Sequence, residues 1–198
     1  TEKGHKLFES ILKEIKKVGR GKVYDCIVGV SGGTDSSYLL YMAKEVWGLR
    51  PLAVHYDNTW NSAIATMNIQ KVLAGLDIDL YTHVVDNKEA DDIFRSFFLS
   101  GVSEIDSSTD LGYAYLLRQV AAKYSVKFIL EGHSFTTEGI TPLGCNYFDG
   151  RYIQSIHNHF GRLPLKTYPL MTFSRFLKSA VIDRVKFIRP LWYLDYSK

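Results

Sequence analysis

The segment IVGVSGGTDSSYLL (27–40) changes from a strand pattern to a helix pattern across two adjacent glycines. The run that leads into it, VYDCIVGV (23–30), is short, apolar and β-branched, which is typical of a strand buried on both faces. The helix that follows is predicted from about Thr34 to Trp47, where a glycine ends it. A buried strand that passes directly into a helix is the repeating unit of parallel α/β sheets.

The same alternation of strand and helix patterns recurs along most of the chain. An amphipathic helix, with apolar residues at helical spacing from Leu7 to Val18, precedes the first strand. The further strands are predicted at PLAVHY (51–56), IDLYTHVV (78–85), VKFILEG (126–132) and VKFIRPL (185–191). The further helices are predicted at 61–75, at 88–100, and from a cap at Ser108 or Thr109 to about Tyr124. The fold class that this order predicts is α/β, a doubly wound parallel sheet with flanking helices.

Residues 134–170 interrupt the alternation with glycines, prolines, aromatic residues and histidines. The stretch is predicted to be loop-rich, and it is too long for a simple connector, so we expect it to carry function. One domain is expected over the whole chain.

Composition excludes several classes of protein. The formal net charge is +3, with lysines and arginines dispersed along the chain, which is too mild and too dispersed to argue by itself for a nucleic-acid partner. We expect neither a signal peptide nor a membrane span, since no apolar run approaches ~20 residues, and we expect a cytoplasmic protein.

Cys26, in an apolar run, is predicted to be a buried reduced thiol. Cys145 lies in a loop without a neighbouring cysteine, and a reactive thiol there is the less favoured alternative.

The ends of four predicted strands carry polar side chains, at 31–37, 55–61, 86–87 and 131–138. In open parallel sheets these ends meet at one crevice, where ligands bind. The first of them opens a helix, whose free N–H groups and dipole favour an anion. Its glycines allow close backbone approach, and its hydroxyls add donors, which indicates a phosphate site without the lysine of the usual triphosphate loop. A bare Gly-Gly turn is the alternative.

The sequence SGGTDS (31–36) is similar to the SGGxDS signature of the N-type ATP pyrophosphatases, the PP-loop superfamily. This superfamily includes GMP, NAD and asparagine synthetases and the tRNA-modifying thiolation and lysidine enzymes. Its loop holds the pyrophosphate end of ATP, and its members transfer AMP to a substrate oxygen. The resemblance implies ATP and Mg²⁺ as cofactors, with 1–133 as the nucleotide-binding core and 134–198 as a loop-rich substrate-side segment with the last strand.

A closer resemblance, to the N-acetyl sugar amidotransferases, extends over nearly the whole chain. The segments that carry it are YDCIVGVSGGTDSSYL, RPLAVHYDNTWNS, IDLYTHVVD, STD, AAKYSVKFILEGHSFTTEGI, YIQSIHNHFG, LKTYPL and IRPLWYLDYSK. That family acts in bacterial lipopolysaccharide O-antigen and pseudaminic acid biosynthesis and converts a sugar N-acetyl group into an acetamidino group. Its Cys-rich segment before the first helix and its helical segment after LDYSK are absent here, so we expect the core of a longer enzyme.

The resemblance implies a set of ATP contacts. Adenine is expected at the backbone near Val54 and Tyr56, and Mg²⁺ at Asp35 and Glu138, since this ion favours carboxylate together with phosphate oxygens. The alternatives are a helix-capping role for Asp35 and a solvated loop position for Glu138. The expected ATP-binding residues are Val30, Ser31, Gly32, Gly33, Thr34, Asp35, Ser36, Ser37, Val54, Tyr56, Asp57, Gly132 and His133.

The remaining polar and aromatic residues at the crevice suit the substrate that accepts AMP. The expected catalytic residues are Asp35, Ser36 and Lys166, and the expected substrate-binding residues are Asn58, Trp60, Asn61, Asp110, His157 and Arg189. Alternatives stay open: Trp60 as a core residue, Asp110 as a helix cap, and Lys166 and Arg189 as solvated charges. A zinc site at the histidines is disfavoured, since the HNH spacing of 157–159 is not the helical i, i+4 pattern.

Neither cysteine has the setting of a glutaminase nucleophile. The family resemblance implies that a separate glutaminase with a cyclase-like channel subunit supplies the ammonia. The expected substrate is an N-acetylated sugar, nucleotide-linked or like sialic acid, with no nucleic acid partner. A homodimer is compatible with the sequence, which does not fix the oligomeric state. The alternatives are a tRNA-modifying PP-loop thiolase and a non-catalytic ATP-binding module.

Overall fold

The computed structural model describes residues 2–133, 149–194 and 196. The elements in chain order are α1 (Glu2–Gly19), β1 (Cys26–Gly29), α2 (Thr34–Tyr41), β2 (Pro51–Asp57), α3 (Ala63–Leu76), β3 (Leu80–Val84), α4 (Asn87–Ser100), α5 (Ser107–Lys123), β4 (Phe128–Leu130), α6 (Gly150–Phe160), α7 (Phe173–Leu177) and β5 (Lys186–Ile188). Helices α2 and α7 continue as π-helical turns over Met42–Val46 and Lys178–Ile182, and a 3-10 turn at Pro190–Trp192 follows β5. Within the described residues, no helix combines the length and apolar character that crossing a bilayer requires.

The strands form one parallel sheet in the order β3-β2-β1-β4-β5. In the centre, Ile27 lies opposite Leu52 of β2 and Ile129 of β4. Strands β2 and β3 extend the sheet on one side of β1, and β4 and β5 extend it on the other. The predicted doubly wound α/β fold is therefore confirmed. The order reverses between β1 and β4, and the carboxyl ends of these two strands flank the position where such sheets bind ligands.

Helices cover both faces of the sheet, which explains why its central strands are apolar on both sides. Neighbouring residues of β1 point to opposite faces: Ile27 joins the core under α4, α5 and α6, whereas Val28 joins the core under α1, α2 and α3. Cys26 is also fully buried, and burial raises the pKa of its thiol, so the predicted reduced, buried cysteine is confirmed. Cys145 lies outside the described residues.

Helix α6 lies inside the stretch 134–170, which the sequence predicts as loop-rich. This part of the prediction is wrong, because the glycines flank a helical pattern rather than interrupt it. Ile153, Ile156 and His157 are spaced to bury one helical face, and all three are buried. Asp149 caps the helix by accepting a hydrogen bond from the Arg151 N–H at 2.9 Å. Residues 134–148 lie outside the described residues.

Two buried carboxylates of α4 hold residues 161–168, named here the anchored segment. Asp92 Oδ2 accepts hydrogen bonds from the backbone N–H groups of Arg162 (2.7 Å) and Leu163 (2.9 Å) and contacts the His157 ring nitrogen Nε2 at 3.2 Å. Burial raises the pKa of Asp92, but these partners together lower it more, so its net pKa lies below the usual value.

Glu89, one turn earlier in α4, holds the other end of the anchored segment. Its Oε2 accepts hydrogen bonds from the Thr167 N–H (2.9 Å), the Thr167 hydroxyl (3.0 Å) and the Tyr168 N–H (3.1 Å). Burial raises the pKa of Glu89, and the backbone and hydroxyl donors lower it further than burial raises it. The anchored segment is therefore fixed to α4 mainly through its main chain.

Candidate active site

The SGGTDSS loop runs from the end of β1 into α2. Gly32 has φ +77°, and a Cβ atom there would overlap the backbone carbonyl of Ala65, so only glycine fits this position. Gly33 is the N-cap of α2, and no side chain caps this helix. The first N–H groups of α2 are therefore available to an anion, as the sequence predicts. The hydroxyls of Ser36 and Ser37 donate to the Gly33 carbonyl at 3.2 and 2.8 Å and stabilise the turn.

A cavity of about 830 Å³ opens next to this loop, at the carboxyl ends of β1, β2 and β4. Its volume suits a nucleotide. The residues that line it are Gly29, Val30, Ser31, Gly33, Thr34, Asp35, Ser36, His55, Tyr56, Asn58, Asn61, Thr109, Asp110, Tyr113, Ala114, Glu131, Gly132, His133 and Arg189. The structure thus brings most of the expected ATP-binding residues, and Asn58, Asn61, Asp110 and Arg189 of the expected acceptor residues, to one cavity.

Acidic groups outnumber basic ones in the described lining of this cavity. Asp35, Asp110 and Glu131 face it, against Arg189, whose Nε donates to Glu131 Oε2 at 2.9 Å. A polyphosphate would meet net negative charge there unless a cation accompanied it. Among the described residues, no group of three or more His, Cys, Asp or Glu side chains forms a metal site. One or two carboxylates together with phosphate oxygens are the usual ligands of Mg²⁺, so Asp35 fits this ion. Glu138, the other expected ligand, lies outside the described residues.

Tyr196 contacts the Asp35 carboxylate, although the two residues lie far apart in the sequence. Its hydroxyl donates to Asp35 Oδ1 at 2.5 Å, and its ring stacks on Tyr38 with the ring centroids 5.0 Å apart. Burial and the hydrogen bond to Asp35 raise the pKa of Tyr196 to about 12, so the phenol keeps its proton at neutral pH. Sequence reasoning missed Tyr196, since no local pattern connects positions 161 residues apart.

Tyr113 is a second residue that sequence reasoning missed. Its hydroxyl occupies the space that a side chain on Gly29 would need, at the end of β1. Burial raises the pKa of this phenol, and the charges of Glu131 and Asp110 raise it further. Asp110 and Tyr113 are three positions apart in α5 and therefore share a helical face, which is the signal that could have found Tyr113.

The loop after β2 is held by its own side chains. Asp57 Oδ1 accepts hydrogen bonds from the Thr59 N–H (2.8 Å) and from Asn61 Nδ2 (3.0 Å), which fixes a turn where Thr59 has φ +68°. His55, which the sequence analysis places at this strand end without a role of its own, is buried and contacts the Val30 carbonyl through Nδ1 at 3.0 Å. This contact connects the ends of β1 and β2.

Some expected site residues lie beside the cavity rather than in its lining. Gly32, Ser37 and Asp57 shape its loops, Val54 is buried within β2, and Trp60 lines a second cavity. His157 is not brought to the cavity, because it is buried in α6 against Asp92. Lys166 is exposed on the anchored segment and is absent from the described lining of both cavities.

Comparison with known proteins gives one curated relative and several structural neighbours. No family model matches the chain. An uncharacterized protein from Methanocaldococcus jannaschii is 34% identical over 135 residues, which cover 67% of this chain and 46% of that protein. The chain thus spans about half the length of this relative.

Solved structures with a similar fold include a synthetase and a tRNA thiolase. The NH3-dependent NAD synthetase from Campylobacter jejuni matches with a TM-score of 0.50 and 12% identity over 79% of this chain and 72% of that one. The U34-tRNA thiolase NcsA from Methanococcus maripaludis matches with a TM-score of 0.49 and 15% identity over 93% and 59%. At such identities only the fold is shared. The chain has the parallel α/β fold of the PP-loop ATP pyrophosphatases, whereas its resemblance to the sugar amidotransferases rests on sequence segments alone.

Proposed function

We propose that this protein binds ATP with Mg²⁺ in the 830 Å³ cavity and transfers AMP to an oxygen atom of an acceptor, with release of pyrophosphate. The observation that carries the proposal is the SGGTDSS loop at the point where the strand order reverses. There, a left-handed Gly32 and an uncapped helix N terminus face an acidic cavity. A loop without a lysine is suited to holding the β- and γ-phosphates as a leaving group.

Different residues of the site have different roles in the proposed adenylation. The acceptor oxygen forms a bond to the α-phosphorus while the bond from that phosphorus to the bridging oxygen of the β-phosphate breaks. The first N–H groups of α2 and the hydroxyl of Ser36 stabilise the departing pyrophosphate. Asp35 would hold Mg²⁺, and the ion would neutralise the phosphate charge that the acidic lining repels. We assign the adenine to the backbone near Tyr56, which lines the cavity at the end of β2.

The acceptor proposed here is the carbonyl oxygen of a sugar N-acetyl group. An amide oxygen is a poor leaving group, but once it carries AMP it departs readily when ammonia adds to the carbon. Loss of AMP and a proton then leaves an acetamidino group. Ammonia from a separate glutaminase fits the cysteine pattern, since the buried Cys26 lacks the exposure and lowered pKa of a nucleophile. The support for the sugar is the sequence resemblance, and a role in lipopolysaccharide biosynthesis follows only from that resemblance.

A tRNA-modifying enzyme is the alternative that the structural neighbours favour at least as much, because the fold does not select the acceptor. Adenylation of a base oxygen would use the same loop and the same cavity. A thiolase would also need reactive cysteines, and Cys26 does not meet this need. A non-catalytic ATP-binding module would release no pyrophosphate.

The test is to identify the products from ATP. The full chain is incubated with ATP, Mg²⁺ and ammonium, with N-acetyl sugars in one series and unmodified tRNA in another. We expect AMP and pyrophosphate in equal amounts and an amidine product in the sugar series. ADP and phosphate would overturn the adenylation proposal, and turnover with tRNA alone would select the alternative acceptor.

Two variants connect this activity to the site. Asp35→Asn should lower the rate on the order of 10²–10³-fold, as for loss of one preorganised charge contact. The control Asp91→Asn, an exposed carboxyl of α4 outside both cavities, should leave the rate unchanged.

A further inference from the structure

The hydroxyl of Tyr113 lies in the wall of the 830 Å³ cavity and has no role in holding the fold together. The ring of this tyrosine, on α5, packs against the core under α4, α5 and α6. The hydroxyl lies beside Gly29, the last residue of β1, which also lines the cavity. Within the part of the chain that the structure describes, no residue forms a hydrogen bond with this hydroxyl. The fold therefore fixes the ring and leaves the hydroxyl to a ligand.

A glycine in the central strand makes room for this hydroxyl. Gly29 is buried and pairs with Val54 of β2, in the part of the sheet where a larger residue would pack better. A Cβ atom on Gly29 would overlap the Tyr113 hydroxyl. Glycine within a strand is typical of a place where another group must approach the backbone closely. Strand and helix are thus both adapted to place one phenol at the carboxyl end of β1.

The Tyr113 hydroxyl is a hydrogen-bond donor at neutral pH. Burial raises the pKa of this phenol, and the negative charges of Glu131 and Asp110 raise it further, so it keeps its proton. The Arg189 guanidinium pairs with Glu131 at 2.9 Å and brings a positive charge to the same part of the cavity. A protonated phenol next to this guanidinium complements a group that only accepts hydrogen bonds, such as a phosphate oxygen.

The proposed position of ATP determines which of its groups meets Tyr113. The pyrophosphate lies at the N terminus of α2, which follows β1, and the adenine lies near Tyr56 at the end of β2. Strands β1 and β2 are neighbours in the sheet. The ribose and the α-phosphate therefore lie between these two places, at the end of β1. Ribose hydroxyl groups have the carboxylates of Asp110 and Glu131 as acceptors there, whereas the α-phosphate needs donors.

From these observations we infer that the Tyr113 hydroxyl donates a hydrogen bond to a non-bridging oxygen of the ATP α-phosphate. This inference rests on the proposed function and adds a catalytic residue that contacts the reacting phosphoryl group. The bond orients the α-phosphorus towards the acceptor while the N-terminal turn of α2 holds the pyrophosphate. The acceptor oxygen bonds to phosphorus and the bond to the bridging oxygen of the β-phosphate breaks. Tyr113 keeps its proton and donates to the same oxygen throughout.

Three ligands that each contain one part of ATP test this contact, namely adenosine, AMP, and pyrophosphate with Mg²⁺. Their dissociation constants for the full chain are measured by calorimetry. Tyr113→Phe should weaken AMP binding about tenfold, as expected for loss of one hydrogen bond to a charged group, and should leave adenosine and pyrophosphate binding unchanged. Weaker adenosine binding would assign the hydroxyl to the ribose, and weaker pyrophosphate binding would assign it to the leaving group. Either result, or unchanged AMP binding, would overturn the inference.

The matched control is Tyr115→Phe, which makes the same chemical change two positions along α5. Tyr115 is buried and lies outside the described lining of both cavities, so all three dissociation constants should stay the same. Thermal unfolding checks that both variants are folded. Equal weakening of all three ligands by Tyr113→Phe would indicate a packing role and would also overturn the inference.

An experiment on the unaltered chain tests the contact without relying on a variant alone. The two diastereomers of ATPαS carry sulfur in place of one or the other non-bridging α-oxygen, and sulfur is the weaker hydrogen-bond acceptor. The unaltered chain should bind one diastereomer severalfold more weakly than the other. Tyr113→Phe should remove most of this difference. Equal binding of the two diastereomers, or a difference that Tyr113→Phe does not reduce, would contradict the proposed contact.

The inference and the proposed function fail in different ways. Formation of ADP and phosphate from ATP refutes adenylation, whereas a loss of affinity confined to AMP in Tyr113→Phe leaves the α-phosphate contact standing. Formation of AMP and pyrophosphate by Tyr113→Phe at the unaltered rate refutes the inference and leaves adenylation standing. If both are correct, Tyr113→Phe should lower kcat for AMP formation on the order of 10²-fold, while Tyr115→Phe should not change it.

Discussion

Replacing Glu89 by glutamine should destabilise the protein, because this buried carboxylate accepts hydrogen bonds from two N–H groups and one hydroxyl of the anchored segment. The glutamine has the same shape and keeps one oxygen, but it loses the negative charge and presents an NH2 group. Hydrogen bonds to a charged group contribute about 1.5–3 kcal/mol, against about 1 kcal/mol between neutral groups. Oε2 accepts from all three donors and Oε1 also accepts from the Thr167 N–H at 3.2 Å, so the NH2 group of glutamine would face a donor at either position. A loss of about 2 kcal/mol is therefore expected for Glu89→Gln.

Glu89→Ala should cost more, about 3–5 kcal/mol, because it leaves the donors of Thr167 and Tyr168 without a partner inside the protein. For a chain of this size, each kcal/mol corresponds to about 2–4 °C in Tm. The glutamine variant should therefore melt about 4–8 °C lower than the unaltered chain. The control Asp91→Asn, on the exposed side of the same helix, should stay within about 0.5 kcal/mol.

Urea unfolding as a function of pH gives the decisive measurement. The folded-state pKa of Glu89 lies below its usual value of 4.5. Its contribution is therefore fully present above the unfolded pKa and is lost as the pH falls through the folded pKa. The stability gap between the unaltered chain and Glu89→Gln should be widest at pH 7 and should close on acidification below about pH 4. A gap that does not change with pH, or one no larger than that of Asp91→Asn, would refute this account of the anchored segment.

Three further predictions concern the loop and the cysteine. Gly32→Ala should abolish ATP binding in calorimetry, because the left-handed backbone and the Ala65 carbonyl exclude a Cβ; Gly75→Ala, with open space around it, should leave ATP binding intact. Tyr196→Phe should lower severalfold the Mg²⁺ concentration that half-saturates ATP binding, because the Tyr196 hydroxyl would no longer compete with the ion for Asp35. An unchanged Mg²⁺ dependence would contradict this. Cys26 should resist iodoacetamide in the folded protein and react after unfolding in urea, as mass spectrometry of its peptide would show, because burial raises its pKa.

The central part of the fold could be predicted from the sequence because its signals are local. The strand and turn of positions 23–33 are glycine-bounded and apolar, and the structure has β1 and the turn into α2 there. The strand ends were less predictable: β4 ends at Leu130 and β5 at Ile188, two and three residues earlier than expected. Helix α6 was missed because its flanking glycines and prolines obscured the helical spacing of its buried face.

The residues of the candidate site also fall into a group that could be predicted from the sequence and a group that could not. Residues of the SGGTDSS loop could be predicted, since they are adjacent in the chain and their function depends on one turn. His55, Tyr113 and Tyr196 could not, because each depends on a contact with a distant part of the chain. His157 illustrates the opposite error: a histidine in a polar segment suggested a ligand, whereas its ring packs against Asp92 in the interior.

The anchored segment has a consequence for how far the sequence of this region can vary. Glu89 and Asp92 hold it mainly through main-chain N–H groups, so most of its side chains can be exchanged and the attachment kept. Only proline is barred from the positions that donate, and Pro164 falls between those positions. Tyr168, at the end of this segment, forms part of the wall of the second cavity. The wall of this cavity can thus diverge in chemistry while its attachment to the scaffold is inherited unchanged.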